Sequence, residues 1–418
     1  MNAGPARPVT AGAGAARPLL ATHVITRLIV GGAQENTIAT ILGLQKIAGL
    51  EADLVTGPTG GPEGSLEEEY RRQSSAITVL PTVVRPVRPF TDVKGLFDLR
   101  RHFLRSRPAI VHTHSGKAGV LGRWAARMAR VPIIIHGVHG PSFGKWQGAA
   151  ANTVFRAAER SAGRVTDFFI AVAQAMVDQY LAAGIGRPEM YARVFSGFRL
   201  EPFLAAKNDP EARGKFGLKP EHFVIAKIAR MTELKGHDDL FKIAPELFKA
   251  APNARLLLVG GGPWEERFKR QASEFGIAEK IVFTGLVRPA EIPELAGIMD
   301  VLVHLSYREG LPRALPQAMA AGKPVVAFDC DGAGEVCMTA KTGFLIPPGD
   351  DRTLLDALRI LARDADLRER LGEAGREFVR DRFPVERMVE DTHQIYLRLL
   401  RQRGFVGGAF SESINEHE

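Results

Sequence analysis

Three groups of residues in this chain have the types and spacing to do chemistry. Arg230 and Lys235 lie just beyond an apolar run, Phe223 to Ala229. Two cations at the end of a buried strand suit an anion such as a diphosphate. Arginine can grip two oxygens at once, and lysine supplies a compact point charge. Glu309 follows a second apolar run, Val301 to Leu305, and precedes Gly310, where the chain can turn tightly. A carboxylate there can accept hydrogen bonds from hydroxyls or support a developing positive charge. His112, His114, His136 and His139 form the third group, in HTHSGKAG and HGVHG. Four histidines raise the question of a metal, but the cysteine or carboxylate pattern that would complete a site is missing. Each group also has a plain reading in isolation: surface charge, an exposed loop carboxylate, and packed core histidines.

The elements that must hold these residues alternate. Apolar runs at His23 to Val30, Ala52 to Thr56, Ile77 to Val84, Ala109 to His112, Pro132 to His136 and Phe168 to Ala173 read as strands, separated by helical patterns. Gly31, Gly32 and Ala33 turn the first strand into a helix starting near Gln34 or Glu35, and such small residues let a helix start approach a ligand closely. A crossover at residues 197–209 leads to a second series, with strands at Phe223 to Ala229, Arg255 to Val259, Ile281 to Phe283, Val301 to Leu305, Pro324 to Phe328 and Gly343 to Ile346. Leu311 to Ala321 reads as a short helix, in which Pro316 is out of place unless the helix starts later or kinks. This alternation predicts two Rossmann-like α/β domains, and ligands bind such sheets at the carboxyl ends of their strands. The expected layout is a flexible 1–19, a first domain over 20–198, a second over 199–382, a closing helix over 383–402 and a flexible 403–418.

Size and charge narrow the class. A chain of 418 residues with 45% hydrophobic and 24% charged residues fits two globular domains. No apolar run is long enough to span a bilayer, and the N-terminus lacks the apolar segment of a secretory signal, so the expectation is a cytoplasmic protein. Two cysteines are too few for a disulfide scaffold. Residues 1–200 carry 24 Lys and Arg against 13 Asp and Glu, a net +11, whereas residues 201–418 carry 31 against 34, a net −3. The basic half lacks a nucleic-acid recognition motif, so nucleic acid is not an expected partner. A phosphorylated acceptor or an anionic membrane surface fits better. GGGP at 260–263 and GGAQEN at 31–36 do not complete a dinucleotide fingerprint.

Eight segments, in order, resemble the retaining family-4 glycosyltransferases, which have the GT-B fold. They are GGAQE (31–35), HTHSGKAG (112–119), HGVHG (136–140), ARMTELKG (229–236), VGGGP (259–263), FTGLV (283–287), EGLPRALPQAMAAGKPVVA (309–327) and GFLIPPGD (343–350). The resemblance covers roughly Val24 to Leu400. It implies that Arg230 and Lys235 stabilise a departing nucleoside diphosphate, and that Glu309 binds the transferred sugar with the N–H groups of Gly310 and Leu311 alongside. It places Gly31, Gly32, Ala33, Gly261, Leu286, Val287 and Glu335 along the donor cleft, and His139 near the reaction centre. His114 and Lys117 are implied on the acceptor side. The family's usual second glutamate, eight residues after the first, is Gln317 here, which keeps one acceptor oxygen but loses the charge. The closing helix is expected to cross back onto the first domain. Asp329-Cys330-Asp331 resembles a metal-binding motif of the other major glycosyltransferase fold; in this setting it reads as a turn, and no metal or cofactor is expected.

The reading is therefore a retaining glycosyltransferase. It would move a sugar from a nucleotide-sugar, with UDP-sugar favoured, to a lipid-linked or glycan acceptor in capsule, exopolysaccharide or lipopolysaccharide assembly, and the expected place of work is the periphery of the inner membrane. The alternatives are a sugar-nucleotide epimerase or phosphorylase-like enzyme of the same fold, or a sugar-nucleotide-binding scaffold without catalysis.

Overall fold

In the computed structural model of the chain, the described residues are 18–405 except 62, 115 and 145. The expected flexible ends therefore lie almost wholly outside them. Two parallel sheets organise the rest. The first contains β1 (Leu19–Ile25), β2 (Leu50–Thr56), β3 (Ile77–Val79), β4 (Ile110–His114), β5 (Ile133–Val138), β6 (Phe168–Ala171) and β7 (Tyr191–Arg193), in the order β3-β2-β1-β4-β5-β6-β7. The second contains β8 (Phe223–Ile228), β9 (Ala254–Val259), β10 (Ile281–Gly285), β11 (Val301–His304), β12 (Val325–Phe328) and β13 (Gly343–Ile346), in the order β10-β9-β8-β11-β12-β13. In each sheet the order reverses once, between β1 and β4 and between β8 and β11. Loops leaving those strands diverge to opposite sides and open a crevice there. The strands read as continuous apolar runs because helices cover both faces of a parallel sheet.

Several elements differ from the sequence reading. The first strand ends at Ile25, not Val30. Leu28 is buried nonetheless, in a loop whose carbonyl accepts from Leu66 N. Burial alone does not make a strand, so an apolar run overshoots. β7 was not foreseen; it is three residues long and pairs on the sheet edge with β6. The helix after Glu309 spans Ala314–Ala320 and so begins three residues later than Leu311. Pro316 is its third residue, where a backbone N–H has no intrahelical acceptor anyway, so the proline fits without a kink.

The Val385–Gln402 helix returns to the first domain. Met388, Val389, Ile395, Tyr396, Leu399 and Leu400 join the core under β1, β2 and the Gly32–Leu44 helix. At about 2 kcal/mol for each buried large side chain, this contact is on the order of 10 kcal/mol. A Cβ on Gly43 would lie 2.3 Å from Val389 Cγ2, so only glycine lets the two helices pack this closely. The outward crossover is tied to the same place, with Phe198 N donating to Phe383 O at 3.0 Å and Gly197 N to Met388 Sδ at 3.2 Å. Among the described residues no helix is long and apolar enough to cross a membrane.

Candidate active site

Of the residues singled out for chemistry, Lys235, Glu309 and His139 come together where the two crevices face each other. Lys235 follows β8 and Glu309 follows β11, the two strands at the second sheet's reversal. Gly236, with φ 66°, comes so close to β11 that a Cβ would lie 1.9 Å from Leu305 O. Tyr307 N donates to Leu234 O at 2.8 Å, and together these contacts hold the two loops side by side. Lys235 Nζ then donates directly to Glu309 Oε1. His304 Nε2 lies 3.4 Å from the same oxygen. Burial by itself would raise the Glu309 pKa, but the Lys235 charge, with His304, outweighs it and holds the carboxyl well below its usual range. Glu309 is therefore an anion at neutral pH, in a partly buried setting.

Asp331 fixes the backbone of this loop. Its Oδ2 accepts from Glu309 N at 2.7 Å and its Oδ1 from Gln179 Nε2 of the first domain at 2.6 Å. The Asp329-Cys330-Asp331 triplet is thus a turn with a positioning task. Asp331 sits at φ 50°, and burial, with the Asp331 charge, pushes the Cys330 thiol up to about 12. Sequence reasoning did not assign Asp331 this role.

Across the cleft, the first domain presents its own strand ends. A Cβ on Gly310 would lie 1.9 Å from His139 O, so the backbones of the two domains touch there and Gly310 cannot be replaced without separating them. Arg313 Nη1 donates to Glu35 Oε2 at 2.8 Å, and a Cβ on Gly32 would stand 3.2 Å from Arg313 Cδ. Gly32 thereby lies against the segment that follows Glu309, whereas a Cβ on Gly31 would meet only the Gln34 side chain. Arg308 Nη2 donates to Pro141 O at 2.6 Å and stacks over Trp146. Arg308 and Arg313 escaped the sequence reading, although they bracket Glu309 in YREGLPR and could have been noticed as cations on one loop.

Arg230 lies further along the cleft. Its Nη1 is 3.6 Å from Glu63 Oε1, an oxygen also approached by Arg27 at 3.4 Å and Arg85 at 3.8 Å. Three guanidinium groups around one carboxylate leave a net positive field suited to an anion. Leu286 is exposed and its side chain nears Gly64 of the first domain, while its backbone N is 3.3 Å from where a Cβ on Gly261 would be. Gly261 and Leu286 thus form one wall near this field, and Val287 beside them is partly buried against the core. Leu311 is buried beneath the loop. Gln317 lines a groove of about 590 Å³ with Glu35, Phe198, Pro289 and Arg313. Both oxygens of Glu335 are engaged by the first domain, one by Ala175 N at 3.0 Å and the other by Arg193 Nη1 at 3.1 Å.

His139 ends a hydrogen-bonded chain. Its Nε2 lies 2.9 Å from His114 Nδ1, His114 Nε2 lies 2.9 Å from His23 Nδ1, and His23 Nε2 lies 3.2 Å from the Tyr396 hydroxyl. Tyr396 also meets His112 Nδ1 at 2.7 Å. Burial lowers the His23 pKa to about 3, and burial with the Arg313 charge lowers His139 to about 4. The chain is neutral at pH 7, so its links are set by tautomers. Nitrogens of His23, His112 and His114 lie within 4.8 Å of one another, but these contacts occupy all of them except His112 Nε2. His114 is buried inside the chain rather than facing the cleft, and Lys117 Nζ pairs with Asp92 and donates to Pro86 O at 2.5 Å.

Comparison with known proteins agrees with this geometry. Residues 32–194 match the family model "Glycosyl transferase 4-like domain" and residues 208–378 match "Glycosyl transferases group 1". The GDP-mannose-dependent alpha-(1-6)-phosphatidylinositol monomannoside mannosyltransferase of Mycolicibacterium smegmatis is 30% identical over 267 residues, 61% of this chain and 68% of that protein. The UDP-Gal:alpha-D-GlcNAc-diphosphoundecaprenol alpha-1,3-galactosyltransferase of Escherichia coli is 25% identical over 336 residues, 79% of this chain and 86% of that protein. Among solved structures, HepE of Anabaena in complex with UDP and glucose superposes with a TM-score of 0.78 at 20% identity, covering 91% of this chain and 100% of HepE. With both halves matched in order and the two sheets facing across one cleft, the chain belongs to the glycosyl transferases group 1 family and is a glycosyltransferase of the GT-B fold.

Proposed function

We propose that the chain transfers a sugar, with retention at the anomeric carbon, from a UDP-sugar to a lipid-linked glycan acceptor in cell-surface polysaccharide synthesis. The donor side is assigned to 199–382 and the acceptor side to 20–198. The observation that carries this reading is the Lys235–Glu309 pair at the second sheet's reversal, with Arg230 in the same cleft and His139 opposite. Lys235 and Arg230 offset the charge that grows on the diphosphate as its oxygen leaves the anomeric carbon. Glu309 accepts hydrogen bonds from sugar hydroxyls and supports the positive charge left on the ring. The acceptor oxygen attacks from the face the diphosphate leaves, and its proton passes to a departing phosphate oxygen. His139, neutral, orients the sugar by hydrogen bonding. Gly261, Leu286, Val287 and Gln317 are assigned to the nucleotide, Gly31 to Ala33 to the diphosphate, and Glu335 to fixing the closed cleft.

The names of related proteins support the substrate class. The Escherichia coli relative names a UDP-galactose donor, and HepE was solved with UDP and glucose. The Mycolicibacterium relative names GDP-mannose, so the base is the point to test first. Both relatives' names describe acceptors carried on a phosphorylated lipid. That matches the net +11 of residues 1–200 and supports a cytoplasmic enzyme working at the periphery of the inner membrane.

The test is a mass-spectrometric binding screen of the purified protein against UDP-, GDP-, ADP- and dTDP-sugars with EDTA present. Selective retention of a UDP-sugar is expected. Retention of another nucleotide overturns the donor assignment, and binding that appears only when Mg²⁺ replaces EDTA overturns metal independence.

A further inference from the structure

The Pro89–Ser106 helix has two apolar faces. Gly95, Leu99 and Phe103 are buried against the first domain. Phe90, Val93, Phe97 and Leu104 are exposed, Phe90 at 95%, and Val87 just before the helix is exposed as well. The intervals of three, four and seven residues place these four on one stripe, turned away from the buried face. A surface helix needs only its core-facing stripe, so the second stripe calls for a partner.

The charges beside it are one-sided. Residues 85–107 contain seven Lys and Arg but only two acidic residues. Both acids are already engaged: Asp92 by Lys117 and by Arg88 N, and Asp98 by the Thr82 hydroxyl at 2.8 Å. Among the described residues, Arg88, Lys94, Arg100, Arg101, Arg105 and Arg107 form no ion pair, and Arg85 approaches Glu63 only at 3.8 Å.

We propose that this face docks on an anionic lipid bilayer, with the apolar stripe in the interface and the six cations against phosphate headgroups. An apolar stripe flanked by Lys and Arg is the pattern of a helix lying in the plane of a membrane, and anionic lipid attracts each nearby cation within a Debye length. A second copy of the chain is a poor occupant, because a twofold contact would set the same cations against each other. The position is also suitable. Lys117, three residues beyond the end of β4 at His114, holds Pro86 and Asp92 at the start of this segment. The docked face is thereby anchored to the first domain's strand ends, where the acceptor is assigned. The inference deepens the lipid-linked reading of the acceptor and rests on it for its purpose.

Flotation of the full chain with phosphatidylglycerol-containing vesicles, beside pure phosphatidylcholine vesicles, tests it. The protein is expected to float with the anionic vesicles at low salt. Phe90→Ser with Phe97→Ser should weaken this about tenfold or more, and Arg101→Gln with Arg105→Gln should remove the preference for anionic lipid. Nucleotide-sugar binding, measured on the same samples, should be unchanged in both variants. Absence of flotation at low salt, flotation of both variants like the parent, or a dimer that Phe90→Ser with Phe97→Ser dissolves would overturn the proposal. Loss of nucleotide-sugar binding in the parent chain would instead count against the proposed function and leave the docking result standing.

Discussion

Arg313 and Glu35 form an ion pair at 2.8 Å that joins the loop after Glu309 to the first turn of the Gly32–Leu44 helix. The pair is largely shielded and spans the two domains, so it favours the closed arrangement in which Gly310 touches His139. Replacing either partner with Gln should raise KM for the donor about three- to tenfold, with a double-mutant cycle giving about 1 kcal/mol of coupling. Arg313→Gln should also let His139 titrate closer to the ordinary histidine range, since the Arg313 charge helps to depress it. An NMR titration of His139 checks this, and an unmoved pKa would show that burial alone sets it.

Glu309→Gln keeps the shape of the side chain and removes the charge opposite Lys235. If the carboxylate supports charge at the anomeric carbon, kcat should fall about 10²- to 10³-fold, with donor affinity changed far less. Steady-state and binding measurements on the same preparation separate the two effects. A fall in affinity alone would reduce Glu309 to a ground-state contact.

Gln317→Glu restores the family's usual carboxylate. A charge-assisted hydrogen bond to the ribose should tighten nucleotide binding about three- to tenfold, read by calorimetry with UDP. Unchanged affinity would mean that the ribose is held elsewhere along the cleft. Residue 317 is also one helical turn beyond Arg313, so the new carboxylate would compete with Glu35. The amide leaves Arg313 to its partner on the other domain.

Acid should destabilise the fold earlier than carboxylate protonation alone would. His23 is held neutral, with its pKa lowered to about 3, while in the unfolded chain it binds a proton near pH 6.5. Between those values the unfolded state holds more protons. Stability is therefore fully present above pH 6.5 and is lost as pH falls toward 3. At pH 5 this one residue accounts for on the order of 2 kcal/mol. Burial lowers His112, His114 and His136 in the same direction. The urea midpoint should drop steadily from pH 7 to pH 5, and a flat profile would show that the chain is charged or solvated in the folded state.

Much of this protein is determined along the chain itself. Strands buried on both faces must be apolar throughout, so their number and order in the second domain are legible, and β13 was read to the residue. The site loops are legible too, because Gly236 and Gly310 meet steric demands that only glycine can satisfy, and they mark where Lys235 and Glu309 must sit. The eight ordered segments carry the family in the same local way, because each is a short run of neighbours in the chain.

What tertiary structure decided is pairing between distant residues. Asp331 holds Glu309 N, Arg313 meets Glu35, and Tyr396 of the returning helix closes the histidine chain that ends at His139. None of these has a local signal, since a side chain chooses such a partner only after the sheets are stacked. The strand that stops at Ile25 belongs here too: Leu28 and Val30 are as apolar as a strand requires, and only their packing against the 63–66 segment takes them out of the sheet. The exposed stripe of the Pro89–Ser106 helix is the last case. Both of its apolar faces are written in the sequence, but which one the core would cover was settled by the fold.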